Sequence, residues 1–434
     1  MMFITNRNLK IFLLICLMII SAFLNVGCNE LNNDPSLTLF KNVNIIPMNT
    51  ETILEGYNVV IKDGNIVKIG KPWKTRAPKN SIVIDGKGKY LVPGLTDMHV
   101  HLWLEDELIL YLANGVTTVR DMFGNSSKLL LRGKIEQEEV LGPRLYIASP
   151  IIDGKPPIWP DSTVITMPEH AELWVSRYKK MDYDFIKIYE RLTEEVYDSI
   201  IAAAKKEDIP VVGHIPDSVN IEKALQSGQR SIEHLDNYID SDKLYDITIE
   251  NNIWNCPTIV VYEMFNRALD KEELEGIDYV HPMWIKIWEE RLDYPEEEIE
   301  VYRVAYQSKI DKNKIIAKKL YDKGGRILLG TDANNPFIIP GFSIHDELYN
   351  LVKAGLTPYE AIKTGTYDAA EFLNVLDASG TVEVGKNADL ILLDENPLED
   401  ISNMKKIEGV MVRGKWISKN EIDEMLKTIA ENVK

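Results

Sequence analysis

Eight short apolar runs, spaced by polar or amphipathic stretches, constrain this chain more than any other feature. They fall at residues 95–101, 117–121, 144–149, 185–189, 211–214, 231–234, 254–261 and 327–332. Helical patterns separate most of them, as at 193–207 and 221–227. Strands that alternate with helices form a parallel sheet, because a parallel return needs a crossover. Eight such units close into a barrel. The predicted fold class is therefore α/β, with a (β/α)8 TIM barrel over residues 93–377. Residues 263–324 are longer than one crossover needs and carry Trp284 and Trp288. They read as a helical insertion near the barrel mouth, a lid or an oligomer contact. A last helical run, 359–374, follows Thr357-Pro358, a good N-cap and first-turn pair.

Both ends of the chain look different from this middle. Residues 39–46, 58–61, 66–69 and 81–84 are short β-like runs, separated by turn signals such as Asp63-Gly64 and Asp85-Gly86. Residues 389–393 and 409–412 repeat the character near the C-terminus, with turns at Gly385-Lys386 and Arg413-Gly414. One small β-sandwich built from residues 37–92 and 378–420 is expected, since it leaves fewer exposed edges than two separate caps. Residues 421–434 read as a tail or helix.

The N-terminus reads as a targeting segment. Arg7 and Lys10 precede an apolar run at 11–24, too short for a comfortable membrane span. It ends in Asn25-Val26-Gly27-Cys28, which resembles a bacterial lipoprotein cleavage site with Asn25 where leucine is usual. The expectation is a signal peptide over 1–27, lipidation at Cys28 and a polar tether over 28–36. An uncleaved anchor is the alternative. Either places the body outside the cytoplasm, lipid-anchored at the bacterial cell envelope. Of three cysteines, Cys16, Cys28 and Cys256, the last reads as a small core residue, and no disulfide framework or thiolate metal motif is present. A net charge of -18 argues against nucleic acid as a partner.

The strand ends carry the chemistry. His99 and His101 close the first run; residues i and i+2 of a strand share a face, so both imidazoles reach one point. His214 closes the fifth run, His234 the sixth and Asp332 the eighth, while Lys187 lies in the fourth between Ile186 and Ile188. The chain has seven histidines, and four of them take such ends, where barrels keep their active sites. Imidazole and carboxylate suit zinc and similar divalent ions. His170 and His281 read as surface and loop residues, and Lys187 alone would also fit a surface lysine.

The motif Pro93-Gly94-Leu95-Thr96-Asp97-Met98-His99-Val100-His101 resembles the amidohydrolase superfamily, as does the stretch 341–373 with His345-Asp346-Glu347-Leu348 and Ala354-Gly355-Leu356-Thr357-Pro358. The likeness runs from Leu37 to Trp416 and is strongest to the imidazolonepropionase-like and prolidase-like members. It implies a metal-dependent enzyme that hydrolyses C–N amide bonds, in dipeptides or N-acyl amino acids, through a hydroxide bridging two divalent ions, with zinc as the default. His99, His101 and Asp332 would hold one ion, and His214 and His234 the other. Lys187 would bridge them as a carbamate formed with carbon dioxide, and Asp332 would also move the proton. Trp103, Tyr189, Arg191, Tyr262 and His345 follow strand ends and are candidates to contact a small-molecule substrate. Two alternatives stay open: a mononuclear cyclic-amide hydrolase or deaminase with Lys187 unmodified, and a non-catalytic binding protein on the same barrel.

Overall fold

The computed structural model describes residues 37–76 and 81–433. A parallel barrel-like sheet forms the centre. Leu95–Val100, Val116–Asp121 and Arg144–Ile147 pair in order, and Ile186–Ile188, Val211–Gly213, Ser231–Glu233, Trp254–Cys256 and Arg326–Ile327 continue the round. Parallel bridges Ala148↔Phe185 and Val100↔Ala333 join the two segments. Met98 N–H donates to the Leu329 carbonyl at 2.9 Å and Asp332 N–H to that of His99 at 2.7 Å, so the eighth run closes on the first.

Two runs are shorter as strands than the sequence suggests. The seventh stops at Cys256, because Pro257 has no N–H to give the ladder. The chain then turns into the helix Val260–Leu269, whose free N–H groups at Ile259 and Val260 are taken by the Glu347 carboxylate at 3.1 and 2.7 Å. The eighth is regular only over Arg326–Ile327 and then runs on in irregular form beside the first.

Local capping follows the sequence closely. Thr193 caps Glu194–Lys206, Asn220 caps Ile221–Ser227, and Thr357 with Glu360 forms a capping box on Pro358–Thr364. The final run breaks at Gly365 into Pro358–Thr364 and Tyr367–Phe372. The insertion comprises Val260–Leu269, a short turn at Ile277–Tyr279, Pro282–Arg291 and Ile299–Asp322. His281, expected in a loop, caps the second helix by accepting from Met283 N–H at 3.1 Å.

The two ends of the chain share one mixed sheet of eight strands. Lys415–Ser418, Ile407–Val412 and Leu390–Leu393 lead to Tyr90–Pro93, then to Thr38–Ile45, Leu54–Lys62 and Asn65–Gly70, and the eighth strand, Ile82–Asp85, pairs with Thr38–Ile45 off this path. Its core mixes both ends, with Phe40, Val59 and Leu91 beside Leu390 and Met411. The chain closes with the helix Lys419–Asn432.

No helix among the described residues is long and apolar enough to cross a membrane. The apolar run at 11–24, the tether and Cys28 lie outside the described residues. The lipid anchor, the membrane partner and the envelope location expected from the sequence are corrected on the lack of any membrane-crossing helix among the described residues.

Candidate functional site

The strand ends bring the expected residues to one end of the barrel. His101 Nε2 lies 2.9 Å from Asp332 Oδ1, and His99 Nε2 lies 3.3 Å from the same oxygen. Ligands bound about 2.0–2.1 Å from one zinc ion sit roughly 3–3.5 Å apart, so this spacing suits a shared cation. One donor atom from each of His99, His101 and Asp332 falls within 4.8 Å of the others. The His234 ring is 4.8 Å from the His99 ring and 4.8 Å from the His214 ring, which links the two halves.

Backbone strain marks the same positions. His234 and Asp332 have φ of 60° and 65°, in the left-handed region. Such conformations cost of order 1–3 kcal/mol each and cluster at functional sites. Two glycines make room. A Cβ at Gly330 would meet Cys256 Sγ at 2.4 Å and His99 N at 2.9 Å, and Gly213, at φ 128°, sits against the Lys187 chain.

Lys187 is 1 % exposed, which removes the surface-lysine reading. Its Nζ has no hydrogen-bond partner, and neither do His99 Nε2 and His101 Nδ1. Unpaired buried polar atoms are expensive, and three together suit a site whose partner is a cation. Burial lowers the Lys187 amine to about 8. Burial also holds His99 and His234 below the usual imidazole value, which keeps their lone pairs free. Asp332 is buried too, but the histidines around it outweigh burial and hold its carboxyl well below the ordinary range. For His214, burial is outweighed by Asp236, whose Oδ2 lies 2.7 Å from Nδ1, and by Glu190 at 3.4 Å. The donor set and the orphaned atoms fit divalent cations.

A supporting network was not foreseen. Glu233 Oε2 lies 2.9 Å from His99 Nδ1, and a carboxylate can only accept there, so Nε2 is left as the donor to a cation. Arg120 Nη2 clamps both Glu233 oxygens at 3.0 and 2.9 Å, and Ser231 Oγ donates to Oε1 at 2.6 Å. Asp97 accepts from Thr331 Oγ1 at 2.6 Å and ties the first strand to the eighth. Thr258 Oγ1 sits 2.7 Å from His234 Nδ1. Strand alternation held part of this signal, since Ser231 and Glu233, two apart, share a face.

The substrate candidates separate. Trp103 lines a cavity beside His101, and the Tyr189 ring is 4.2 Å from that of His214. Tyr262 stacks 6.2 Å from Tyr306 in the insertion. Arg191 is exposed, and its N–H bonds Asp153 at 2.7 Å. His345 is buried, has both ring nitrogens unpartnered, and is lowered by burial to about 3.

Comparison with known proteins agrees with this geometry. The model of the amidohydrolase family matches residues 90–417. A 5-methylthioadenosine/S-adenosylhomocysteine deaminase from Caldanaerobacter subterraneus is 23% identical, over 88% of this chain and 94% of its own length. Ochratoxinase from Aspergillus niger is 27% identical over 51% of this chain and 40% of its own. Among solved structures, bottromycin amidohydrolase superposes with a TM-score of 0.76 at 24% identity, covering 93% of this chain and 92% of that one. A Xaa-Pro dipeptidase with bound methionine gives 0.72 at 24% identity, over 88% of this chain and 100% of that one. At these identities the structures speak for the fold; the matched family, with the clustered histidines and carboxylate, speaks for the chemistry. The chain belongs to the amidohydrolase family and is a metal-dependent hydrolase of carbon–nitrogen bonds.

Proposed function

We propose that the protein is a binuclear amide hydrolase of the imidazolonepropionase-like and prolidase-like branch, acting on dipeptides or N-acyl amino acids. The reading rests on one observation: His99, His101 and Asp332 offer donor atoms within 4.8 Å of one another at the barrel mouth. In this reading they hold one divalent ion and His214 and His234 hold a second. Lys187, buried with an unpartnered Nζ, would add carbon dioxide with loss of a proton and serve both ions as a carbamate. Zinc suits this mixture of imidazole and oxygen ligands. Residues 93–377 would be the catalytic unit, and residues 37–92 with 378–420 its β companion.

When bound, such ions polarise a carbonyl and lower the pKa of water from ~15.7 to ~7. The chain's own residues do the rest. Glu233 fixes the His99 ring, and Thr258 fixes that of His234. Asp332, held ionised by the surrounding histidines, takes the proton of the attacking water and passes it to the leaving nitrogen. The carbonyl carbon gains a hydroxyl and the nitrogen gains a hydrogen as the C–N bond breaks.

One observation favours the mononuclear alternative, a cyclic-amide hydrolase or deaminase. The tight clusters of candidate ligands among the described residues contain His99, but neither His214 nor His234. Metal content after gentle purification separates the two readings. Two equivalents per chain support the binuclear site, and one equivalent overturns it. Asp332→Asn should lower kcat/KM on N-acyl amino acids by about 10²–10⁴-fold. Full activity in that variant would remove Asp332 from the proton path.

A further inference from the structure

Beside His101 the mouth opens into a cavity of about 200 Å³. Its walls include Trp103, Phe123, Trp159, Trp284, Trp288 and Arg291. They come from four places in the chain: the loops after each of the first three strands, and the insertion helix Pro282–Arg291. The rings are ordered. Trp103 and Trp284 lie 6.0 Å apart with planes inclined by 31°. Phe123 meets Trp103 edge-on at 6.2 Å and His101 edge-on at 6.5 Å. On the other side, Trp159 Nε1 donates to the Tyr189 hydroxyl at 3.1 Å, and the Tyr189 ring touches His214. An aromatic wall therefore runs between candidate ligands of the two halves.

Simple packing of the insertion onto the barrel explains only part of this. Trp288 is 3 % exposed and packs on Phe337, as a core residue does. Trp103 is 41 % exposed and faces the cavity. An apolar cavity of about 150 Å³ is enough to take benzene. The space here suits one aromatic ring with a short chain attached. At the rim, the Arg291 guanidinium stacks 5.1 Å from the centre of the Trp159 ring. Among the described residues it has no carboxylate partner, although the chain carries a net charge of -18. A stacked arginine of this kind is a fixed fork for a carboxylate.

We propose that this pocket sets the substrate class: an aromatic side chain packs in the cavity against the Trp103 and Trp284 rings, the carboxylate of the same residue pairs with Arg291, and the amide reaches the cluster at His101. The preferred substrates are then N-acyl or dipeptide derivatives of aromatic amino acids. The cleavage step rests on the amide-hydrolase reading; the binding step does not.

Binding is measured by calorimetry on the full chain after removal of metal with a chelator. The probes are 3-phenylpropionate, propionate and 3-phenylpropanamide. We expect 3-phenylpropionate to bind roughly tenfold or more tightly than propionate, from burial of the ring. Trp284→Ala should erase that preference. Arg291→Ala, at an exposed position that leaves the fold intact, should bring 3-phenylpropionate down to the level of the amide. Equal binding of propionate and 3-phenylpropionate, or no effect of Arg291→Ala on the carboxylate, overturns the proposal. A second arm compares kcat/KM of the metal-loaded enzyme on N-acetylphenylalanine and N-acetylglycine. Hydrolysis of both at equal rates removes the pocket as the selector and leaves the hydrolase. Selective binding with no hydrolysis of any amide removes the hydrolase reading and leaves the pocket.

Discussion

The two halves of the site are held by different parts of the molecule. His99 is wired inward. Its Nδ1 faces Glu233, and Glu233 is clamped by Arg120 and Ser231, all buried inside the barrel. His214 and His234 are wired outward, to Asp236, Glu190 and Thr258 beyond the strand ends. The Asp236 and Glu190 side chains are 28% and 36% exposed. The inward half therefore shares its supports with the core. The carboxylates of the outward half hang from loops at the surface, while Thr258, behind His234, is buried past the end of the seventh strand.

Arg120→Met is the strongest way to break this distinction. It leaves Glu233 buried without its cation, and removing one partner of a buried pair costs about 3–5 kcal/mol. Stability to urea and kcat/KM should fall together. A variant as stable as wild type that loses only activity would show that the network serves the site alone.

Thr258→Val makes the opposite test. Valine keeps the branched shape at φ 44° and removes only the hydroxyl beside His234. Loss of such a supporting bond typically weakens metal binding about 10–100-fold. Competition against a chelating dye should show one ion weakened, while the unfolding midpoint in urea moves little. A midpoint lowered as far as that of Arg120→Met would erase the contrast between the halves.

Much of the candidate ligand set was legible because strands have a period of two and barrels keep chemistry at one end. That placed His99, His101, His214, His234 and Asp332 with few assumptions. Arg120 and Glu233 were not legible, because a charge on a short strand reads as solvent-facing until its partner is seen 113 residues away. The sequence makes the seventh strand look too long for a related reason. Ile259, Val260 and Val261 look like strand, but Glu347, 88 residues from Ile259, caps a helix there. The aromatic wall was half visible. Trp103, Trp284 and Trp288 stood out, while Phe123 and Trp159 lie on loops whose meeting is purely tertiary.

Glu347 offers the finest test of the outward half, because it anchors the helix that begins just after Thr258. Burial pushes its carboxyl up to about 8, against the pull of the Ile259 and Val260 N–H groups. The ordinary value is 4.5. Between those two values the folded chain keeps a proton that the unfolded chain has released. Folding therefore takes up a proton, and stability falls as pH rises through this window, by at most about 1.4 kcal/mol per pH unit. Asp97 and Glu107, both raised by burial to about 7, tilt the wild-type profile the same way. The informative quantity is thus the difference between wild type and Glu347→Gln, which cannot ionise. Gln keeps one acceptor oxygen and loses the other, so at pH 5 the variant should be less stable by about 1 kcal/mol. Its thermal midpoint should then fall less than that of wild type between pH 5 and pH 8. Parallel profiles would mean that two N–H groups suffice to keep Glu347 ionised in the fold, leaving the outward half with no pH-sensitive anchor at this position.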